Sequence, residues 1–252
     1  QIYTRCCAEH CVVIVLLLLR NDGNIQSPKG KEKPKATEDI MNTKTARQIE
    51  EMKKQTIGVE IEMNSISRSK AAKLASQFFG TGRYKNTADR NGYCTYSAWD
   101  EQGREWKFQK DVSIAGIDSE KCEMVTPILN YSDIETLQEL VRILRKAGAK
   151  SDSTRGCGVH IHIGAKGHTA KTLRNLANIM ASHEQLLIDA LNLDEVRIRR
   201  YCKTVDPRFL EQVNRTKPET MSQLADVWYK SHDENYGRSH HYNGSRYHML
   251  NL

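Results

Sequence analysis

An α+β fold, built on a largely antiparallel sheet with helices on one face, is predicted by three observations. Segments with a two-residue apolar period recur at residues 56–63, 158–164 and 246–252, and such alternation marks strands with one buried side. Between them lie segments with the period of amphipathic helices. Hairpin signals between some of the strands favour antiparallel neighbours.

In TIGVEIEM, residues 56–63, Ile57, Val59, Ile61 and Met63 fall on one side, and Gly58, Glu60 and Glu62 on the other. Two acids therefore project together from this strand. A short helix is expected from Arg68 to Phe79, closed by Gly80. Tyr93 to Trp99 and Arg104 to Gln109 are the aromatic-rich arms of a hairpin, joined by Asp100, Glu101, Gln102 and Gly103. A strand from about Lys121 to Leu129 contains CEMVTPIL. Ser132 or Asp133 then caps a helix carrying Ile134, Leu137, Leu140, Val141 and Leu144 at helical spacing, and Gly148 ends it. GVHIHIG, residues 158–164, alternates Val159, Ile161 and Ile163 inward with His160 and His162 outward. A long helix follows from Thr169 to about Asn192, with Leu173, Leu176, Ile179, Met180, Leu186 and Leu187 in period. The stretch beyond Pro207 reads as helical to Lys230, and RYHMLNL, residues 246–252, alternates once more.

Composition bounds the rest. The chain has 252 residues, 38% hydrophobic and 27% charged, which suits one mid-sized domain or two small ones. Fifteen glycines and five prolines exclude fibrous and low-complexity classes. Seven cysteines without pattern read as reduced thiols of a cytoplasmic protein. Thirty-eight basic against 31 acidic residues leave +7, but no run of five like charges occurs. That is a mixed solvated surface with no nucleic-acid partner expected, and it is compatible with phosphorylated or carboxylate small molecules.

Residues 1–40 read as a separate leader, disordered or arising from upstream translation, with Met41 as the working start of a catalytic domain over 41–252. The leader's apolar run, Val12 to Leu19, is eight residues long, whereas a bilayer span takes about 20, so no membrane association is expected. Arg20, Asn21 and Asp22 follow it where a signal peptide would place small residues. Cys6, Cys7, His10 and Cys11 fit no common zinc module.

Chemistry concentrates on the polar sides of three strands, in Glu60 and Glu62, in Glu123, and in His160 and His162. Taken singly, alternating glutamates are commonly a solvent face, and His-x-His is commonly a satisfied surface pair. Together, three carboxylates and two imidazoles offer the oxygen and nitrogen donors that Mg²⁺ or Mn²⁺ takes, and carboxylate-bridged ions are a usual clamp for a phosphoryl group.

GVEIEM at 58–63, CEMVTPIL at 122–129, CGVHIHIG at 157–164 and RYHMLNL at 246–252 resemble the amidoligase family, related to glutamine synthetase and γ-glutamylcysteine ligase. The resemblance runs from about Met41 to the last residue. It implies a glutamine synthetase-like catalytic fold and an ATP-dependent carboxylate–amine ligase that works through an acyl phosphate with Mg²⁺ or Mn²⁺. It also implies small-molecule or peptide acids and amines as substrates. By this likeness Glu60, Glu62, Glu123 and His160 are metal ligands, and His162 approaches the transferred phosphate. Arg246 and Asn251 contact phosphate or substrate, and Asp111 and Ser113 form a turn beside the site, with Asp111 a candidate base for the amine. The family pattern continues with one more strand bearing a glutamate and an arginine, so the domain is expected to be C-terminally truncated, which puts this chain's own activity in doubt. Two other readings stay open from the residues alone. One is a metal-dependent hydrolase using His-x-His with a further histidine such as His183, His232, His240, His241 or His248. The other is a non-catalytic basic module using Arg197, Arg199 and Arg200 beside Tyr201.

Overall fold

The computed structural model describes residues 11–14, 46–88, 92–193, 195–232 and 244–252. Among these residues eight strands make one antiparallel sheet: β1 Cys11–Ile14, β2 Ile57–Met63, β3 Tyr84–Asn86, β4 Tyr96–Trp99, β5 Glu105–Gln109, β6 Cys122–Val125, β7 Val159–Gly164 and β8 Leu250–Asn251. They lie in the order β3-β4-β5-β6-β2-β7-β1-β8. The helices are α1 over residues 46–53, α2 Arg68–Phe78, α3 Ile134–Lys146, α4 Ala170–Leu191, α5 Glu195–Arg200, α6 Pro207–Thr216 and α7 Met221–His232. The α+β class and the antiparallel sheet are as the sequence indicates. No described helix is long and apolar enough to cross a membrane.

Two hydrophobic cores form. The first joins the apolar side of the sheet (Val59, Ile61, Met63, Trp106, Phe108, Met124) to α2 and α3 through Ala71, Ala72, Ala75, Leu137, Leu140 and Leu144. Small alanines on α2 let it lie close to the sheet, and Phe79 packs its ring 5.0 Å from that of Trp106. The second is helical: Leu173, Ala177 and Met180 of α4 meet Phe209 and Val213 of α6, Leu224 and Trp228 of α7, and Met249 and Leu250 at the chain's end. The sheet thus has one side sealed by α2 and α3, and its polar side is left for chemistry.

The local signals act as expected where they are complete. Ser67 caps α2 by accepting from Lys70 N at 3.2 Å, and Gly80 takes a φ of 71° just beyond it. Thr169 caps α4, and Asn192 ends it in the left-handed conformation. The hairpin turn is locked by charge. Arg104 bonds both oxygens of Asp133 at 2.8 and 3.0 Å and Asp100 Oδ2 at 2.8 Å, and Trp106 Nε1 donates to the same Asp100 oxygen at 3.0 Å. Asp100 and Asp133 are buried, so Arg104→Ala strands two acids; a loss of about 3 kcal/mol is expected, measurable as a lower urea midpoint.

Other elements depart from the sequence reading for identifiable reasons. The strand expected to Leu129 stops at Val125 because Pro127 has no N–H and restricts the residue before it. Thr126 carries the pairing on by accepting from Val59 N through its hydroxyl at 2.9 Å. The helix expected from Pro207 to Lys230 is two, broken where Lys217 adopts φ 45° ahead of Pro218. Residues 246–252 are only partly a strand. Gly244–Tyr247 form a 3₁₀ turn, and Tyr247 O and Met249 N bond to Lys203 instead of to a strand. The sequence pattern assigns no strand to the stretch that holds β3. Cys11–Ile14, within the expected leader, pairs with β7 and β8; residues 1–10 and 15–45, including Cys6, Cys7 and His10, lie outside the described residues.

Candidate active site

Residues directly opposite one another in an antiparallel pair project to the same side of the sheet. Glu62 lies opposite Glu123, and Glu60 opposite His160. His162 lies opposite Gly58, and Gln109 opposite Glu123. Three glutamates and two histidines from β2, β6 and β7 therefore share the side away from α2 and α3. This is not a solvent face: Glu62 is 6% exposed and Glu123 2%.

The cluster has two parts. In the first, Glu60 takes up both imidazoles, with His160 Nδ1 3.2 Å from its Oε2 and His162 Nε2 3.3 Å from its Oε1. The His162 contact is near enough for attraction but misaligned for a hydrogen bond, which leaves Nε2 a buried nitrogen without a bonding partner. In the second part, one carboxylate oxygen each from Glu62, Asp111 and Glu123 lie within 4.8 Å of one another. Asp111 is placed by the turn after β5, where Ser113 N and Oγ both donate to its Oδ1 at 2.6 and 2.5 Å. Gly158 N donates to Glu62 Oε2 at 2.6 Å, and Gln109 Nε2 to Glu123 Oε2 at 2.8 Å.

Like charges at this density are electrostatically unbalanced. Burial, reinforced by the charges of Glu60, Asp111 and Glu62, pushes the Glu123 carboxyl up to about 8 against the bond from Gln109. Burial also raises Glu62. Burial acts the same way on Glu60, but the close contacts and charges of His160 and His162 outweigh it and hold that carboxyl at about 2. His160 is raised by its bond to Glu60 against the effect of burial.

A pH dependence follows for the metal-free protein. Between the ordinary glutamate value of 4.5 and about 8, the unfolded chain releases the Glu123 proton first, so stability falls as pH rises through this window. His160 adds to the decline, because its contribution is lost as pH rises through its folded value. Glu60 acts oppositely: its contribution is complete above 4.5 and is lost as pH falls toward 2. Denaturation in EDTA is expected to give a protein less stable at pH 8.5 than at pH 5 by a few kcal/mol, and Glu123→Gln should flatten the difference.

Several functional groups escape the sequence reading. Arg197 on α5, which the sequence offers only as part of a basic cluster, reaches this site: a Cβ built on Gly158 would stand 2.5 Å from Arg197 Nη2 and 3.4 Å from Glu62 Oε2. Gly158 is needed for that close approach. Gln109 and Gly158 sit inside the patterned segments, but nothing in the pattern singles them out.

Of the nine residues expected at the site, Glu60, Glu62, Glu123, His160, His162, Asp111 and Ser113 are brought together. Arg246 is exposed in the 3₁₀ turn, its guanidinium 5.5 Å from the Tyr247 ring centroid. Asn251 lies opposite Val13, which in turn lies opposite His162, so its position is on the same side of the sheet two strands away. Of the histidines of the hydrolase reading, His183 is engaged locally with Ile179 O at 2.9 Å and His248 with Ser245 O at 3.1 Å, and His240 and His241 lie outside the described residues.

A family model described as "Putative amidoligase enzyme" matches residues 53–252, a stretch that contains every residue of this site. No curated protein and no solved structure matches the chain.

Proposed function

Because the chain belongs to the amidoligase family, a family of ligase-type enzymes, we propose that it joins a carboxylic acid to an amine with ATP as co-substrate. The observation that carries this reading is the convergence of the buried carboxylates of β2 and β6 with the half-buried Asp111 of the turn after β5 on one side of the sheet. The donor set fits Mg²⁺ or Mn²⁺. Glu62, Asp111 and Glu123 offer three oxygens close enough to share one cation, and Glu60 with His160 forms an adjacent donor pair, histidine being more typical of Mn²⁺. Burial and then the charges of the neighbouring acids push Glu123 up to about 8, and a divalent cation bound there offsets both. Such ions, when bound, neutralise the phosphate oxygens of ATP.

A carboxylate is a poor electrophile, so amide formation at neutral pH needs activation. The acid's oxygen attacks the γ-phosphoryl group of ATP, giving an acyl phosphate and ADP. The amine then attacks the acyl carbon and phosphate leaves with the bonding pair. The chain's work is alignment and charge neutralisation. The buried His162 Nε2 donates to a phosphoryl oxygen, and Arg197 balances the charge that moves during transfer. Ser113 orients Asp111, whose carboxylate accepts the proton released by the amine. Arg246 and Asn251 hold the outer part of the nucleotide or substrate. The likeness to glutamine synthetase belongs to this same reading.

Hydroxylamine tests it, because it intercepts acyl phosphates as hydroxamates. Incubation with ATP, Mg²⁺ and a mixture of carboxylic acids is expected to give hydroxamate and ADP in equal amounts. Peptide or amide cleavage without ADP would replace this reading with the hydrolase.

A further inference from the structure

The polar side of the sheet does not end at the carboxylates. Across the strands in register, Glu60 lies opposite Val125, Val125 opposite Lys107, Lys107 opposite Ser97, and Ser97 opposite Lys85. All project to one side, so two lysines continue the row that begins with Glu60. With neighbouring strands about 4.8 Å apart, the Lys107 backbone stands about 10 Å from that of Glu60 and the Lys85 backbone about 19 Å away. Trp99, two residues beyond Ser97, shares this side. Both Arg83 and Lys85 sit over its ring, at 5.7 and 5.9 Å from the centroid. The strip's acid is Glu105, opposite Trp99 and 3.8 Å from Lys107 Nζ. Three cations thus face one anion. Two cations on one ring gain from its negative face but repel each other, and an anion between them relieves that repulsion.

We propose that Lys107, Lys85 and Arg83 around Trp99 bind the acid substrate, and that this substrate is an acidic peptide whose reacting carboxylate reaches the Glu62, Asp111 and Glu123 cluster. Extended chain covers about 3.3–3.6 Å per residue, so the two lysines stand opposite roughly the third and the sixth residue from the reacting end. A free amino acid would engage only the cluster and leave the strip unused. The direction of the peptide rests on the ligase reading; the strip's affinity for acidic peptide does not.

The test is a fluorescence titration of the protein with hexaglutamate in Mg²⁺ without ATP. Of the three tryptophans, Trp106 and Trp228 are 0% and 2% exposed, so a ligand on the strip perturbs Trp99. A saturable change is expected, absent in Trp99→Phe and at least tenfold weaker in affinity in the double variant Arg83→Glu, Lys85→Glu. Both of those side chains are exposed, so the melting midpoint should hold; if it drops, Lys107→Gln is measured instead, with the same weakening expected. Equal saturation by free glutamate at the same carboxylate concentration would overturn the proposal. So would unchanged affinity in the charge variants, or tighter binding of an oligonucleotide than of the peptide. Because no ATP is present, failure of hydroxamate formation would sink the ligase reading while leaving this result standing.

Discussion

Glu62→Gln is expected to lower ATP-dependent amide formation by about 10³-fold, the upper end of the scale seen when one hydrogen-bonding group is removed from a preorganised site, while the metal-free protein stays as stable as before or gains. Glu62 is 6% exposed, lies opposite Glu123 and accepts from Gly158 N at 2.6 Å. A glutamine oxygen keeps that bond, so the loop between α3 and β7 remains tied to β2. What is lost is one charge of the Glu62, Asp111 and Glu123 group, the part of the site assigned above to cation binding. Leu137→Ala offers the contrast: it opens a cavity in the first core and should cost about 2–5 kcal/mol of stability with the site chemistry intact. A Glu62→Gln protein of normal stability and normal activity would show that these acids serve neither cation nor phosphate.

The second large effect is thermodynamic. Mn²⁺ or Mg²⁺ is expected to stabilise the folded protein by about 2.7 kcal/mol at a free concentration 100 times its dissociation constant, seen as a rise in the melting midpoint. The source is the repulsion already present: Glu123 is held at about 8 by burial and by the charges of Glu60, Asp111 and Glu62. Binding at pH 7 must therefore expel its proton, and calorimetry in buffers of different ionisation enthalpy should detect about one proton released per ion. Glu62→Gln and Glu123→Gln should each remove most of the midpoint shift, and Glu123→Gln should also remove the proton release. An undiminished shift in both variants would place the cation elsewhere.

How much of this was legible depends on where each group's position is decided. In β2 and β7 the alternation of apolar and polar residues is unbroken, so the common side of Glu60 and Glu62, and of His160 and His162, could be read directly. That the two sides coincide required the register of Glu60 with His160, which no local pattern contains. Glu123 lies in a strand cut short by Pro127, and only its pairing with Glu62 fixes its side. Asp111 and Arg197 come from a turn and a six-residue helix whose positions depend on packing far along the chain. Arg197 carried a misleading local signal, since cations at a helix end complement the dipole whatever else they do. β3 was missed because Tyr84, Lys85 and Asn86 are all exposed and carry no apolar alternation, although this strand extends the basic part of the polar side. The strand at Cys11–Ile14 lies within an apolar run whose length alone does not separate a strand from a leader.

One measurement bears on the ligase mechanism most directly. The protein is incubated with ATP, Mg²⁺, a mixture of amines and carboxylic acids labelled with ¹⁸O in the carboxyl group, and the products are read by mass. Activation as an acyl phosphate transfers one carboxyl oxygen to phosphate, so the expected result is amide, ADP and singly ¹⁸O-labelled phosphate in equal amounts, all reduced about 10³-fold in Glu62→Gln. Amide formed with unlabelled phosphate, or ADP release no greater than that of the Glu62→Gln protein, would contradict it.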